Sequence, residues 1–180
     1  MRKIVIDPGH GGNDSGAVFE QKKEKNKVFD ISKRLIKILE KDKYAAMLTR
    51  NQDYGPGLSK RSDIANIIDA DIFVSIHINA FKDKKVNGIE TFHFPDSEKG
   101  EELAGCLQPK LVDYMDMNDR GIKSRENLFV LKYTRMPAVL CEIGFISNDF
   151  DRAKLSKKEF RHLAAEAVYE GIQKYFKRSD

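Results

Sequence analysis

No apolar run in this chain approaches the ~20 residues that a membrane-spanning helix requires, so helical insertion into a bilayer is not expected. Met1 leads straight into Arg2-Lys3-Ile4, with no longer apolar segment or cleavage site behind it, and no export signal is expected either. Cysteine is scarce. Cys106 and Cys141 sit in apolar surroundings without metal-ligand spacing, which favours buried free thiols over a disulfide and leaves neither as a candidate nucleophile. Neither Gly-x-x-x-x-Gly-Lys-Ser/Thr nor Gly-x-Gly-x-x-Gly occurs, which argues against a phosphate-cradling loop. His-Glu-x-x-His is missing, as is a cluster of aspartates able to hold two metals, and both absences weigh against common metallopeptidase and metallophosphatase designs. No basic stripe is interleaved with aromatics, so nucleic acid is not an expected partner.

What is there is a chain of 180 residues, long enough for one domain with a sizeable core and cramped for two. Lysine and arginine exceed the acids by 32 to 28, a net charge of +4 with a pI near 8.9. That mild basicity suits an anionic partner such as a bacterial wall bearing anionic polymers, but a solvated surface explains it as well.

The stretch Ile4-Val5-Ile6-Asp7-Pro8-Gly9-His10-Gly11-Gly12 organises the rest. β-Branched residues predict a buried strand from Ile4 to Ile6, Pro8 cannot continue a hydrogen-bonded ladder, and the glycines take backbone angles that other residues avoid. His10 is thus presented at the carboxyl end of a strand, where open α/β sheets bind ligands. A lone histidine in such a loop is more often an ordinary surface residue, so a functional reading needs partners elsewhere.

Val28, Ile31, Leu35, Ile38 and Leu39 recur at helical spacing and predict a helix over Glu24 to Lys41. Glu24, one turn before Val28, belongs to the inward stripe at the first turn, where a carboxylate also complements the helix dipole. Strand-loop-helix geometry brings it toward His10. Tyr44 to Thr49 predicts a second strand, Ser59 to Ile68 a helix, and Asp71 to Ile76 a third strand that ends in His77-Ile78-Asn79-Ala80. Alternation places His77 on one face with Phe73 and Ser75, and a polar ring closing so apolar a run must find a partner or face a cleft.

Further on, Gly88 to Phe94 predicts a strand and Ser97 to Met115 a helix interrupted or bent near Pro109. Asn127 to Lys132 and Pro137 to Ile143 predict two more strands. His93, mid-strand between aromatics, and His162, in the last helix, read as packing or surface residues. A capping box at Ser156 to Glu159 is expected to open that helix, whose stripe from Phe160 to Phe176 is core packing. Glu142 is the anomaly of its strand, an acid on the same face as Leu140 and Ala138. Burying an unpaired carboxylate is costly and raises its pKa, so such a residue is bonded, metal-adjacent or catalytic, unless an edge strand shows it to solvent.

Strands alternating with helices, without repeats or low-complexity segments, predict a single α/β domain with an about six-stranded, mostly parallel (mixed) sheet and helices on both faces. His10, Glu24, His77 and Glu142 all fall at strand carboxyl ends or at the start of the next helix. Two imidazoles and a carboxylate suit zinc with a fourth position open to water, and the lack of cysteine among them disfavours a closed structural site.

Asp7-Pro8-Gly9-His10-Gly11-Gly12 followed by Asp14-Ser15-Gly16-Ala17, then Glu24-Lys25, Ser75-Ile76-His77-Ile78-Asn79-Ala80 and Glu142-Ile143-Gly144-Phe145-Ile146-Ser147-Asn148 stand in the chain in that order. Together they resemble the motifs of the type 3 zinc-dependent N-acetylmuramoyl-L-alanine amidases, peptidoglycan hydrolases of bacteria and phages. Leu48-Thr49-Arg50, Arg61 with Ala65-Asn66, and Arg120-Gly121-Ile122-Lys123 are secondary echoes, and the resemblance covers essentially the whole chain. It implies a mixed six-stranded sheet, zinc held by His10, Glu24 and His77, and Glu142 as the catalytic glutamate. Glu20 is the other acid that could supply the middle ligand; the Glu24-Lys25 pair and the inward stripe favour Glu24. Asn26, Lys27 and Val28 replace the Asp and Asn that many relatives carry after that pair, a departure that bears on helix packing more than on metal.

The implied reaction is hydrolysis of the amide between N-acetylmuramic acid and L-alanine in bacterial peptidoglycan, with residues 1–180 as a zinc amidase catalytic domain. Glu142 would pass the proton as general base and acid, Asp7 would orient His10, and Asn79, Arg120 and Lys123 would contact substrate. The rival readings are a non-catalytic wall-binding module and a zinc metallopeptidase acting within the stem peptide. Neither nucleic acid nor membrane insertion is expected, and a separate wall-binding domain outside this chain stays open. The expected setting is synthesis in the cytoplasm and action on the wall after release, as a phage endolysin or a late autolysin.

Overall fold

β1 (Lys3–Pro8) is buried from Ile4 onward, as its β-branched composition demands, and lies one strand in from the edge of a six-stranded sheet. The computed structural model describes residues 1–179. After β1 come a small ribbon of β2 (Val18–Phe19) and β3 (Lys22–Lys23), then α1 (Glu24–Lys41), β4 (Ala45–Leu48), α2 (Leu58–Ile67) and β5 (Ile72–Asn79). The second half comprises β6 (Ile89–His93), α3 (Glu98–Met115), β7 (Asp119–Ser124), α4 (Phe129–Lys132), β8 (Ala138–Phe145), α5 (Asp149–Ser156) and α6 (Lys158–Ser179). The sheet order is β4-β1-β5-β8-β6-β7. β4, β1, β5 and β8 run parallel, β6 pairs antiparallel with β8, and β7 follows parallel to β6. The sheet is therefore mixed and mostly parallel, as expected.

Alternation along the strands divides the core into two layers. Ile4, Ile6, Ile72, Val74, Ile76, Val139 and Cys141 pack with Val28, Ile31, Leu35, Leu103, Leu107, Val168 and Ile172 of α1, α3 and α6. Val5, Phe73 and Leu140 point the other way, into a smaller layer with Ala65, Val130 and Leu131 of α2 and α4. Each Val, Leu, Ile or Phe among them contributes about 1.5–3 kcal/mol by leaving water. A one-residue slip in any strand would exchange its faces, so the register is firmly set. The same alternation carries Asp7, Ser75, His77 and Glu142 onto the smaller face, toward the carboxyl ends of β1, β5 and β8.

The local differences from expectation lie in short or polar segments. Asn127 to Lys132, read as a strand, instead holds the four-residue α4, because a short apolar run fits either element. The missing edge strand is β7, whose sequence Asp-Arg-Gly-Ile-Lys-Ser is polar, half-exposed and without an apolar alternation to reveal it. Ser156 does not cap the last helix. It closes α5, its hydroxyl donating to the Arg152 carbonyl at 2.7 Å, and α5 itself starts from Asn148, whose side chain accepts from the Phe150 and Asp151 amides at 3.1 Å. α3 runs through Pro109 without interruption. Cys106 and Cys141 are buried and free, and no helix among the described residues is long and apolar enough to cross a membrane.

Candidate metal centre

Pro8 ends β1, and His10 follows in the left-handed region at φ 60°. Buried arginines clasp this turn from below. Arg61 donates to the carbonyls of Pro8 at 2.9 Å and His10 at 2.7 Å, and Arg50 to those of Pro8 and Gly9, both at 3.0 Å. Arg61 also pairs with Asp7 at 2.7 Å, and Asp7 accepts from Ser75 at 2.7 Å and from Thr49. Asp7, expected to orient His10, therefore anchors the loop through Arg61 instead: strand alternation aims it at Ser75 on the neighbouring strand. The carboxylate beside the His10 ring is Asp14, brought back by a bridge between Gly11 and Asp14 and lying 2.8 Å from Nδ1.

The β2–β3 ribbon turns through Glu20 and Gln21, both at positive φ, and delivers the chain to the start of α1. Glu20 stays outside, its side chain 63% exposed and 3.6 Å from Arg152. Glu24 is buried. Its Oε1 accepts from the Ile78 amide at 2.9 Å and lies 3.0 Å from His77 Nδ1. Its Oε2 accepts from the Ala17 amide at 2.8 Å and lies 3.1 Å from His10 Nε2. One carboxylate thus bridges both imidazoles.

Glu142 stands in register with His77 across β5 and β8. The residue is half-buried, and its Oε2 is buried with no hydrogen-bond partner among the described residues. Burial pushes Glu142 up to about 7, helped by the charges of Glu24 and Glu90 and opposed by His77. Glu24 goes the opposite way. Burial works against its charged form, yet the hydrogen bonds and charges of His10 and His77 win and hold it at about 2. For His10, burial works against the proton, but Glu24 and Asp14 outweigh it and raise the ring to about 9. His77 is also raised, Glu24 and Glu142 overcoming its burial. Carboxylates driven apart in this way mark an acid-base division of labour.

His10, Glu24 and His77 each offer one ligand atom within 4.8 Å of the others, a group that could hold a metal ion. Asp14 on Nδ1 leaves Nε2 of His10 facing the centre. The backbone closes over the group at positions that admit no side chain. A Cβ on Gly9 would lie 2.4 Å from His77 Cε1, and one on Gly16, at φ +63°, would lie 2.5 Å from Glu24 Oε2 and 2.6 Å from His10 Cδ2. Two imidazoles and a carboxylate without a thiolate, next to the orphan oxygen of Glu142, fit zinc with an open position.

Asn79, Arg120 and Lys123 meet at a residue the sequence reading passed over. Glu90 stands opposite Glu142 across β6 and β8 and is 4% exposed. Asn79 Nδ2 donates to its Oε1 at 3.0 Å, while Arg120 Nε at 3.0 Å and Lys123 Nζ at 2.5 Å donate to its Oε2. Burial works against ionised Glu90, but Lys123 and Arg120 prevail and hold it below the usual carboxylate range. Its signal was an acid within Ile89-Glu90-Thr91-Phe92, the same anomaly that marks Glu142. On the opposite flank, a cavity of about 450 Å³ runs from His10 and His77 past Pro56 to Leu58, Phe129 and Leu140. His93 is buried with Nδ1 3.0 Å from the Phe94 carbonyl, and His162 is an exposed partner of Glu166, so both stand apart from this group.

The family model described as N-acetylmuramoyl-L-alanine amidase matches residues 4–174. The N-acetylmuramoyl-L-alanine amidase LytC of Bacillus subtilis is 37% identical over 176 residues, covering 97% of this chain and 35% of its own length. The probable cell wall amidase LytH of Staphylococcus saprophyticus is 37% identical over 180 residues, covering 97% of this chain and 58% of its own length. The chain therefore spans between about a third and three-fifths of these relatives. Among solved structures, the catalytic domain of CwlV from Bacillus (Paenibacillus) polymyxa var. colistinus superposes with a TM-score of 0.93 at 34% identity, over 98% of this chain and 99% of that one. The CwlD amidase of Clostridioides difficile, solved in complex with the GerS lipoprotein, gives 0.95 at 33% identity, over 98% and 99%.

Proposed function

The chain belongs to the N-acetylmuramoyl-L-alanine amidase family, and on that footing we propose that it hydrolyses the amide between N-acetylmuramic acid and L-alanine in bacterial peptidoglycan. The observation that carries this reading is the buried, unpartnered oxygen of Glu142, in register with His77 and beside the His10, Glu24 and His77 group. Zinc is the ion the donor set favours, with those three residues as its ligands. When bound, it supplies Lewis acidity toward the scissile carbonyl and lowers the pKa of water toward ~7.

The protein's own residues do the rest. Glu24, fixed by the Ala17 and Ile78 amides, sets the spacing of the two imidazoles. Asp14 selects the His10 tautomer. Glu142, held near 7, accepts a proton from the attacking water and returns it to the departing alanine nitrogen as the C–N bond breaks. The products are a lactyl carboxylate and a free alanine amine. Such general acid-base work contributes about 10²–10⁴-fold. Asn79, Arg120 and Lys123 contact substrate on the β6–β7 side. Residues 1–180 act as the catalytic domain of a wall-acting endolysin or autolysin.

Digestion of purified peptidoglycan by the zinc-loaded protein tests this. The expected outcome is new L-alanine amines without new reducing ends, abolished by chelator. Reducing ends would mean a glycosidase, amines from later stem residues a metallopeptidase, and binding without product a wall-binding module.

A further inference from the structure

The cationic corner beyond Glu142 carries more charge than its buried acid can neutralise. Arg120 and Lys123 converge on the same Oε2 of Glu90, two cations on one carboxylate. Arg120 reaches Glu90 through Nε, and its Nη1 and Nη2 make no hydrogen bond among the described residues. Its guanidinium also lies over the Phe145 ring, 5.0 Å from the centroid. Buried Glu90 and Phe145 thus pin the guanidinium, while the side chains of Arg120 and Lys123 remain 29% and 39% exposed. A pinned guanidinium with its outer N–H groups free is preorganised for bidentate capture of a carboxylate, since little further rotamer entropy is lost on binding.

The distances suit a particular part of the substrate. Glu90 is one strand from Glu142, and β7, which carries Arg120, is the next strand out. At about 5 Å per strand the Arg120 backbone stands roughly 10 Å from that of Glu142, and the guanidinium leans back from there toward Glu90. Two extended peptide residues span about 7 Å, to which the reach of a carboxylate adds. A carboxylate on the second residue of the stem, just past the departing alanine, therefore falls within reach.

We propose that Arg120 and Lys123, held in place by Glu90, form a subsite for a free carboxylate on the second residue of the stem peptide, and that this subsite discriminates against the corresponding primary amide. The proposal rests on the amidase reading. Guanidinium N–H groups satisfy both oxygens of a carboxylate, whereas the NH2 of an amide meets only donors. The stem then lies along β6 and β7, and the cavity beside Leu58 and Phe129 is left for the sugar.

The test uses two N-acetylmuramoyl dipeptides that differ only in whether this carboxylate is free or amidated. Cleavage by zinc-loaded protein is followed through released amine, and binding is followed separately by calorimetry with the Glu142→Gln variant. The expected result is at least tenfold tighter binding and lower KM for the acid, with the ratio falling to within twofold in Arg120→Gln and only partly restored by Arg120→Lys, which keeps the charge but loses the fork. Equal KM and equal affinity for the two compounds would overturn the subsite while amine release upheld the amidase reading. Discrimination in binding with no amine released would uphold the subsite and sink the amidase reading.

Discussion

Glu142 and His77 are direct register partners across the parallel β5–β8 pair, so two functional candidates rise from adjacent strands at the same height on the same face. Their spacing is set by the sheet's hydrogen-bond ladder, at about 5 Å between strands, and a ladder holds geometry more tightly than loops do. The same register places Glu90 on the other side of Glu142. A candidate metal group, a carboxylate held near 7 and a cationic corner therefore follow one another across the sheet.

Glu142→Gln keeps the shape of the side chain and removes its capacity to carry a proton. Zinc content by elemental analysis is expected to stay the same while kcat falls about 10²–10⁴-fold. A variant with near wild-type turnover would remove Glu142 from the reaction.

Metal content should separate Glu20 from Glu24. Glu24→Gln and His77→Ala are expected to lose stoichiometric zinc after dialysis, whereas Glu20→Gln, altering an exposed hairpin residue, retains it. Zinc kept by Glu24→Gln would sink the ligand assignment.

Gly9→Ala drives a methyl group into the His77 ring, with 2.4 Å between the new Cβ and Cε1. Zinc affinity, measured by chelator competition, should drop at least tenfold even if the fold survives. Gly105→Ala is the control: it lies within α3, nothing stands within 4 Å of the new Cβ, and it should gain about 0.5–1 kcal/mol of stability without changing zinc affinity.

The histidines make the metal-free protein sensitive to pH. His10 is raised to about 9, so the stability its protonated form contributes is fully present below the unfolded value of ~6.5 and is lost as pH rises through about 9. Glu24 is depressed to about 2, so its contribution is present above its unfolded value of ~4.3 and is lost as pH falls toward about 2. Thermal melts of chelator-treated protein should therefore decline between about pH 6.5 and 9. Zinc affinity should climb over that same window as His10 sheds its competing proton. A flat profile in both measurements would contradict the ion-paired state of His10.

Arg61 and Asp7 form a buried pair, 5% and 1% exposed, beneath the His10 loop. Arg61→Met strands the Asp7 charge and is expected to cost about 3–5 kcal/mol in denaturant unfolding. Adding Asp7→Asn should recover part of that loss, because the charge left without a partner is gone.

Much of this architecture can be read from local pattern. The eighteen residues of α1 carry a continuous apolar stripe from Val28 to Leu39, so both its limits match expectation. β1, β5 and β8 are apolar runs whose polar interruptions Asp7, His77 and Glu142 stand out against their surroundings. β7 and α4 have no such contrast. A polar edge strand and a four-residue helix draw their identity from neighbours distant in sequence, β7 from its ladder with β6 and α4 from its packing under the sheet. Glu90 was legible by the rule that singled out Glu142, but its three partners, at 11, 30 and 33 residues' separation, were not.

Residue type and spacing were enough to specify an α/β chain with polar side chains at the ends of apolar strands, because burial energy writes a two- or 3.6-residue period directly into the sequence. Folding alone chose which carboxylate serves which neighbour. Asp14 rather than Asp7 meets His10, the one carboxylate of Glu24 bridges both imidazoles, and Glu90 gathers Arg120 and Lys123. Those pairings depend on strand register and on the path of the turns at Gly11 and Glu20, and contacts between side chains many residues apart leave no period for a sequence to display.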